Sequence, residues 1–221
     1  MKSRGFVSRL VLIVLLILAC RVLAAEAQNR HQPWKVGISA GPSFLTQDVA
    51  STGNTTGKIG PIIDAMVVYE ANKYLSLGFD VEYEQHQIEQ GSLTVGDSST
   101  FSFLAHFELH VEKTKPVSPY FLLASGYNFN SFREDDTYLA ACGEDCRIDI
   151  DNTMTIKVGF GLDMFLLSDT TAINVEVAWK YNKADMDFIT DGTEIASDAF
   201  DGSSFSLFFG FRYYFPVSPF E

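Results

Sequence analysis

Eight stretches of the chain alternate apolar and polar residues with a period of two. The clearest is Leu75–Glu84, in which the apolar positions are Leu75, Leu77, Phe79, Val81 and Tyr83. Successive side chains of a β-strand point to opposite faces, so this period predicts strands that each have one apolar and one polar face. The chain is therefore expected to fold as an all-β protein.

The connections between these strands are alternately long and short. The predicted strands lie at about Trp34–Phe44, Ile59–Ala71, Leu75–Glu84, Phe101–Glu112, Tyr120–Phe132, Met154–Met164, Ile173–Tyr181 and Ser204–Phe215. The long connections, predicted as loops, are Gln47–Lys58, Gln87–Ser99, Glu134–Asn152 and Lys183–Gly202. Tight turns that alternate with long external loops are typical of an eight-stranded antiparallel up-and-down transmembrane β-barrel.

The first 27 residues have the parts of an export signal. Basic residues in Met1–Arg9 precede the apolar run Leu10–Ala19, which is shorter than the about 20 residues that a membrane-spanning helix needs. Ala25-Glu26-Ala27 is a small-x-small cleavage site, so residues 1–27 are predicted to be a signal peptide and residues 28–221 the barrel domain. The alternative is a lipoprotein signal, with Ile17–Cys20 as the lipobox and Cys20 as the lipidated residue.

The composition of the processed chain is strongly acidic. Removal of residues 1–27 would leave 12 basic and 27 acidic residues, a net charge of −15. Such a chain would repel the phosphates that dominate affinity for nucleic acid, so no nucleic-acid partner is expected. Only helices and closed barrels satisfy every backbone polar group inside lipid, and no later segment is apolar enough for a membrane helix. A membrane location therefore requires a closed barrel.

Two cysteines remain after processing, Cys142 and Cys146, in an acidic segment. In an exported protein, two nearby cysteines most simply form one disulfide. The alternative is a reactive redox pair, but such pairs are usually separated by two residues and lie at a helix start. Three residues separate Cys142 from Cys146, so we predict a structural disulfide.

The alternation alone does not say which face of the barrel points inward. A soluble barrel of the lipocalin type would turn its apolar face inward. Glycines on the charged face, such as Gly37, Gly78 and Gly161, favour the opposite arrangement, because they make room for long side chains in a crowded lumen. Aromatic residues near strand ends of the apolar face, such as Trp34 and Trp179, match the girdles of a membrane interface. We therefore predict a polar lumen and an apolar surface in lipid.

Three segments carry a resemblance to a known family: Lys35–Phe44, Pro119–Tyr127 and Phe209–Phe215. On their basis, the chain from about residue 34 to 215 resembles the small Gram-negative outer-membrane β-barrels, a porin-type family that includes the OmpA membrane domain, OmpX and PorT-type proteins. The resemblance implies a location in the bacterial cell outer membrane, contact with its lipid and lipopolysaccharide, and assembly by the barrel-insertion machinery.

The charges of the predicted lumen face segregate by strand, with acids and histidines on the second to fourth strands and bases on the first, sixth, seventh and eighth. The predicted lumen charge network consists of Lys35, Asp64, Glu70, Asp80, Glu82, Glu84, His106, Glu108, His110, Glu112, Lys157, Lys180 and Arg212. Because an unpaired buried charge is costly, acids and bases that face each other should form a salt-bridged plug. The alternative is a narrow path that prefers cations, since the acids outnumber the bases.

The alternating histidines and glutamates of His106–Glu112 have a second interpretation as a metal site. Same-face residues lie roughly 6.6–6.8 Å apart along a strand, so one zinc ion would need ligands from neighbouring strands as well. We interpret these residues as part of the charge ladder and predict no metal and no cofactor. An enzyme acting on lipid would need serine and histidine together on the lipid face, but Ser125 lies on that face and the strand histidines on the other.

These observations predict a non-enzymatic barrel in the cell envelope, whose acidic and partly disulfide-bonded loops have a structural, adhesion or surface-recognition role. Divalent cations at the acidic loops, bridging to lipopolysaccharide phosphates, are a hypothesis that the loop charges allow. The alternative function is a small cation-preferring or solute channel. A third alternative is a lipid-modifying enzyme.

Overall fold

The computed structural model describes residues 34–50, 55–72, 74–111, 117–143, 145–166 and 170–215. The predicted signal peptide and Glu112 lie outside these residues. In the part of the chain that is described, no helix is long and apolar enough to cross a membrane.

The described residues form twelve strands and one helix, α1, which spans Asp136–Cys142. The strands are β1 (Trp34–Leu45), β2 (Thr55–Gly57), β3 (Gly60–Glu70), β4 (Leu75–Gln90), β5 (Leu93–His110), β6 (Val117–Glu134), β7 (Arg147–Ile150), β8 (Thr153–Phe165), β9 (Thr171–Tyr181), β10 (Lys183–Thr190), β11 (Thr193–Asp201) and β12 (Ser204–Tyr214).

Eight of these strands close into a barrel. In the order β4, β3, β1, β12, β9, β8, β6, β5, each strand pairs antiparallel with the next, and β5 pairs with β4 to complete the ring. Closure pairs the edges that an open sheet would leave free. This ring confirms the eight-stranded antiparallel barrel that the alternation of residues predicts.

The apolar face of the barrel points outward. Ile38, Phe79 and Phe211 are each 60% exposed, whereas Lys35 and Glu108 on the polar face are 0% exposed. The outward face also carries aromatic pairs near the strand ends, with Trp34 against Tyr69 at the end of the short turns and Trp179 near Tyr181 at the other end. This is the arrangement expected of a barrel in lipid and the reverse of a lipocalin.

The long connections contain regular structure, so the prediction that they are loops is wrong. β4 and β5 continue past the barrel to a tight turn at Gly91-Ser92, and β10 and β11 form a hairpin around Asp191-Gly192. Asp191 and Gly192 both have positive φ, 52° and 72°, as a type I′ turn requires. The connection predicted at Glu134–Asn152 contains α1 and β7, and the one predicted at Gln47–Lys58 contains β2.

A small second sheet lies beyond the barrel, at the end opposite the short turns. Its strand order is β11-β10-β7, and its inner face carries Ile148, Ile150, Met186 and Phe200. These side chains pack against residues from the extended hairpin and from the segment after β1, namely Ile88, Val95, Val49 and Ala50. We call the sheet, α1 and the residues packed on them the cap. Burial of these apolar side chains is what holds the cap on the barrel.

Candidate functional site: the barrel lumen and its cap

The lumen is crowded with side chains. Tyr120 on β6 projects across the barrel and its ring lies against Gly161 on β8, where a Cβ atom would overlap the ring. A Cβ atom at Gly37 would come within 2.7 Å of Met66 Cε. Glycine at these positions therefore provides the space in which long lumen side chains pack, as the placement of glycines on the charged face predicts.

Glu108 on β5 is the centre of one group of charges. Its carboxylate accepts hydrogen bonds from Lys35 Nζ and, at 2.8 Å, from Arg212 Nη1. Two histidines of the same strand lie beside it, with His106 Nε2 at 3.0 Å and His110 Nε2 at 3.1 Å. The four partners come from three strands, so this carboxylate joins β1, β5 and β12 across the lumen.

A second group of charges surrounds Glu82 on β4. Lys157 Nζ donates to it at 3.0 Å and Lys180 Nζ at 2.5 Å, and both lysines are almost completely buried. Lys180 also reaches Glu84 at 2.5 Å, and Lys157 lies 3.3 Å from Glu176. These ion pairs connect β4 to β8 and β9, on the opposite wall of the barrel.

Tyr120 links the charges at the end of the barrel near the short turns. Its hydroxyl donates to Glu176 at 2.7 Å and accepts from Arg212 Nη2 at 2.7 Å and from Asn174 Nδ2 at 2.9 Å. Asp163 lies beside this group, 3.1 Å from Arg212 Nη1. Each residue of the set has a charged or polar partner, although the Arg212 Nε atom has no hydrogen-bond partner among the described residues.

Every predicted network residue that the structure describes is buried in the lumen, and Glu112 lies outside the described residues. His106 Nδ1 is paired with Asp80 at 2.6 Å. Asp64 accepts from Ser39 at 3.4 Å on the neighbouring strand, and Glu70 is buried near the short turns. The sequence pattern thus finds the charged residues of the lumen face but not how they pair.

Several members of the network are absent from the predicted set. Asp163 and Glu176 lie on the polar face by the same period-two alternation, so the pattern contains the signal for both. His86 also follows the alternation, and it lies 2.8 Å from Glu84. Tyr120 is different. It is an aromatic residue on the polar face of the least regular strand, so the alternation of apolar and polar residues does not identify it as a member of the network.

Ion pairs and hydrogen bonds leave little free space in this part of the lumen. The cavity among Asp64, Met66, Asn174 and Arg212 has a volume of about 10 Å³, which is at the limit for a single water molecule. Within the described ranges, no cluster of His, Cys, Asp and Glu is arranged to hold a metal ion. Ser125 lies on the lipid face and donates to the Thr155 carbonyl at 3.1 Å, so the barrel wall separates it from the lumen histidines.

The cap has an apolar interior above this plug. A pocket of about 140 Å³ is enclosed mainly by apolar side chains of the cap, among them Ile88, Phe132, Tyr138 and Met186. The disulfide between Cys142 and Cys146 joins the end of α1 to the start of β7, as the spacing of the two cysteines predicts. α1 is capped by Asp135, whose carboxylate accepts a hydrogen bond from Thr137 N at 2.8 Å. Hydrogen bonding from the Thr137 side chain, and then from its backbone N–H, lowers the pKa of the Asp135 carboxyl.

Asp201 fixes the junction between the cap and the barrel. It forms an ion pair with Lys183 Nζ at 2.9 Å and accepts a hydrogen bond from Ser203 N at 3.1 Å, just before β12 begins. Burial alone would raise the pKa of the Asp201 carboxyl, but the interactions with Lys183 and Ser203 outweigh burial and lower it. The carboxylate therefore stays charged at neutral pH and holds the base of the β10–β11 hairpin.

Several solved bacterial outer-membrane proteins have the same architecture. The outer membrane protein OprG from Pseudomonas aeruginosa is similar over 84% of this chain and 97% of its own, with a TM-score of 0.64 and 12% identity. The chain folds as an outer-membrane β-barrel. AlkL, solved in DMPC lipid bilayers, matches this barrel over 88% of the chain and 95% of its own, with a TM-score of 0.57 and 15% identity.

A third neighbour of this outer-membrane barrel is the neisserial surface protein NspA. It matches 85% of this chain and all of its own length, with a TM-score of 0.53 and 15% identity. No protein-family model matches the sequence, and no curated protein matches it either. The closed ring and the outward apolar surface place the barrel in the bacterial outer membrane, as the sequence predicts.

Proposed function

We propose that the protein is a non-enzymatic, non-conducting barrel that displays its folded cap for recognition at the cell surface. The observation that carries the proposal is the contrast between the two ends of the described chain. The lumen is filled by ion pairs such as Lys35–Glu108 and Lys180–Glu82, whereas the cap is an ordered sheet with its own apolar core. A structure that only closed a pore would not need such a sheet.

The alternative function, a small cation-preferring channel, is less well supported by the lumen. A permeating cation needs a continuous path along which it either keeps its hydration water or exchanges that water for protein ligands. Here lysine and arginine side chains occupy the positions beside the central carboxylates, Glu82 and Glu108. A hydrated cation would have to displace them, which would leave buried charges unpaired.

An enzymatic role finds no accessible constellation of residues to support it. Acyl transfer needs a nucleophile and a base within hydrogen-bond reach of each other and of the substrate. Ser118 Oγ lies 3.1 Å from His110 Nδ1, and His110 Nε2 lies 3.1 Å from Glu108, but all three side chains are buried in the lumen, away from the lipid. The proposal therefore places the function in the cap and not in chemistry at the barrel.

Removal of the cap hairpin tests the proposal. Lys183 and Asp201 are directly opposite each other, so residues 184–200 can be replaced by an Asn-Gly turn without a change in the barrel register. We expect cells that display the truncated barrel to attach to protein-coated surfaces at least about tenfold less than cells with the full chain, about 1.4 kcal/mol of binding. Equal attachment at matched surface levels, with both proteins folded, would refute a recognition role.

A further inference from the structure

The Cys142–Cys146 disulfide lies where the solvent-exposed part of the cap meets its apolar core. Cys142, the last residue of α1, is exposed, whereas Cys146 is 5% exposed and directly precedes β7. Thiols reduce exposed disulfides more readily than buried ones. The bond therefore has one cysteine that a thiol can approach and one that is buried in the cap.

α1 depends on this bond because the helix has little burial of its own. It spans seven residues, and none of them is buried. A helix of that length is not stable in isolation, since helices shorter than about 12–15 residues are marginal in water. Its start is fixed by Asp135, whose N–H donates to the Val95 carbonyl at 2.9 Å and whose carboxylate caps the helix. The disulfide fixes its end, because it joins Cys142 to the residue before β7.

Tyr138 on α1 covers part of the apolar core of the cap. Its partly buried ring packs against the core and lines the pocket of about 140 Å³, together with Phe132, Ile148 and Met186. Met186 is 5% exposed, so its thioether is shielded from water while α1 is in place. Unwinding of α1 would remove Tyr138 from the wall of the pocket and expose the side chains beside it, Met186 among them.

The position of Thr190 on β10 favours cleavage of the bond at the buried sulfur. Thr190 Oγ1 lies 3.6 Å from Cys146 Sγ. A disulfide sulfur has no proton to donate, so the Thr190 hydroxyl is the donor of this contact. The same hydroxyl can stabilise a thiolate that forms at Cys146, and a more stable leaving thiolate makes exchange faster.

We propose that the Cys142–Cys146 disulfide is a redox latch, and that a dithiol reductant opens the cap by releasing α1. A thiolate of the reductant attacks Cys142 Sγ and forms a mixed disulfide, and Cys146 leaves as a thiolate that takes up a proton. The second thiolate of the reductant attacks the reductant's own sulfur in the mixed disulfide. The reductant is thereby oxidised to a disulfide, and Cys142 leaves and is protonated.

The latch goes beyond the recognition function, because it controls the order of the cap whether or not the cap binds a partner. In the oxidised protein α1 is folded and Tyr138 covers the pocket. In the reduced protein the segment Asp136–Cys142 unwinds, since the crosslink no longer limits the conformations of the unfolded segment. The barrel and its lumen ion pairs are the same in both states.

Hydrogen exchange and methionine oxidation of the mature chain, refolded in zwitterionic detergent, test the latch. After treatment with dithiothreitol, the amides of α1 should exchange at least about tenfold faster than in the oxidised protein. Met186 should react with hydrogen peroxide at least about tenfold faster in the Cys142→Ser/Cys146→Ser variant, which has no thiol for the peroxide to oxidise. Exchange in β8 and oxidation of Met154, which is 63% exposed on the barrel, are the internal controls and should be unchanged.

The double variant also separates loss of the bond from any other effect of the reductant. Dithiothreitol should leave its exchange unchanged, and Thr190→Val in the otherwise unaltered chain should slow reduction of the bond at least about threefold. Equal exchange in the oxidised and reduced proteins, or a disulfide that dithiothreitol does not reduce in the folded protein, would overturn the latch. Faster exchange in β8 as well would also contradict it, because the bond would then stabilise the whole molecule and not the cap alone.

Discussion

At the scale of single residues, Glu108 is where the lumen network converges. Its carboxylate faces Lys35 and Arg212, and all three side chains are almost completely buried. Breaking a buried ion pair costs about 3–5 kcal/mol, because the remaining charge stays buried without its counter-charge. The stability of the barrel should therefore depend on this one carboxylate far more than on any surface pair.

Glu108→Gln should lower the free energy of unfolding by about 3–5 kcal/mol, as measured by urea titration of the refolded protein in lipid with tryptophan fluorescence as the signal. Asp97→Asn is the matched control, since Arg133 and Asp97 form an exposed pair at 2.7 Å with the arginine 79% exposed. That control should lose no more than about 1 kcal/mol. Similar losses for the two variants would mean that the lumen pairs do not stabilise the barrel.

The identity of the lumen charges could be predicted from the sequence, but their pairing could not. Alternation assigns Lys35 and Glu108 to the polar face of their strands, and the glycines and aromatic residues predict that this face points inward. That the two meet depends on the stagger of strands separated by 73 residues in the chain, which is fixed only when the ring closes. Tyr120 could not be predicted to link Glu176 and Arg212 for the same reason.

At the scale of elements, the sequence contains the signals that predict the β10–β11 hairpin. Asp191-Gly192 is the dipeptide that type I′ turns prefer, and Ala184, Met186 and Phe188 alternate with Asp185 and Asp187. The acidic composition of the segment favoured a solvated loop instead. The packing that makes the hairpin stable, Met186 and Phe200 against Val49 and Ile88, depends on contacts from distant parts of the chain.

Gly192→Val should loosen this hairpin and leave the barrel intact. Gly192 has a φ of 72°, a conformation that a β-branched residue adopts only with strain of about 1–3 kcal/mol. We expect amide hydrogen exchange of β10 and β11 to accelerate at least about fivefold, with exchange in β8 unchanged. Ser197→Val, at an exposed position of the same hairpin, is the control and should leave exchange as it is. Unchanged exchange in Gly192→Val would show that the turn does not set the stability of the cap.

At the scale of the whole molecule, the apolar and polar faces of each strand have different roles. The outward residues make the barrel soluble in lipid, and the inward residues fill the lumen with ion pairs. Eight strands leave a lumen that side chains can fill, so the barrel needs no separate plug domain. The barrel is therefore a rigid support for the cap sheet, and the Asp201–Lys183 ion pair lies at the junction between them.

Single-channel conductance of the refolded mature protein in a planar bilayer tests the sealed lumen most directly, with Lys180→Ala and Glu108→Ala measured alongside. We expect no conductance from the wild-type barrel, because lysine and arginine side chains occupy the space beside Glu82 and Glu108. Discrete conductance steps in the wild type that grow when either charge is removed would contradict it and make transport the function of the barrel.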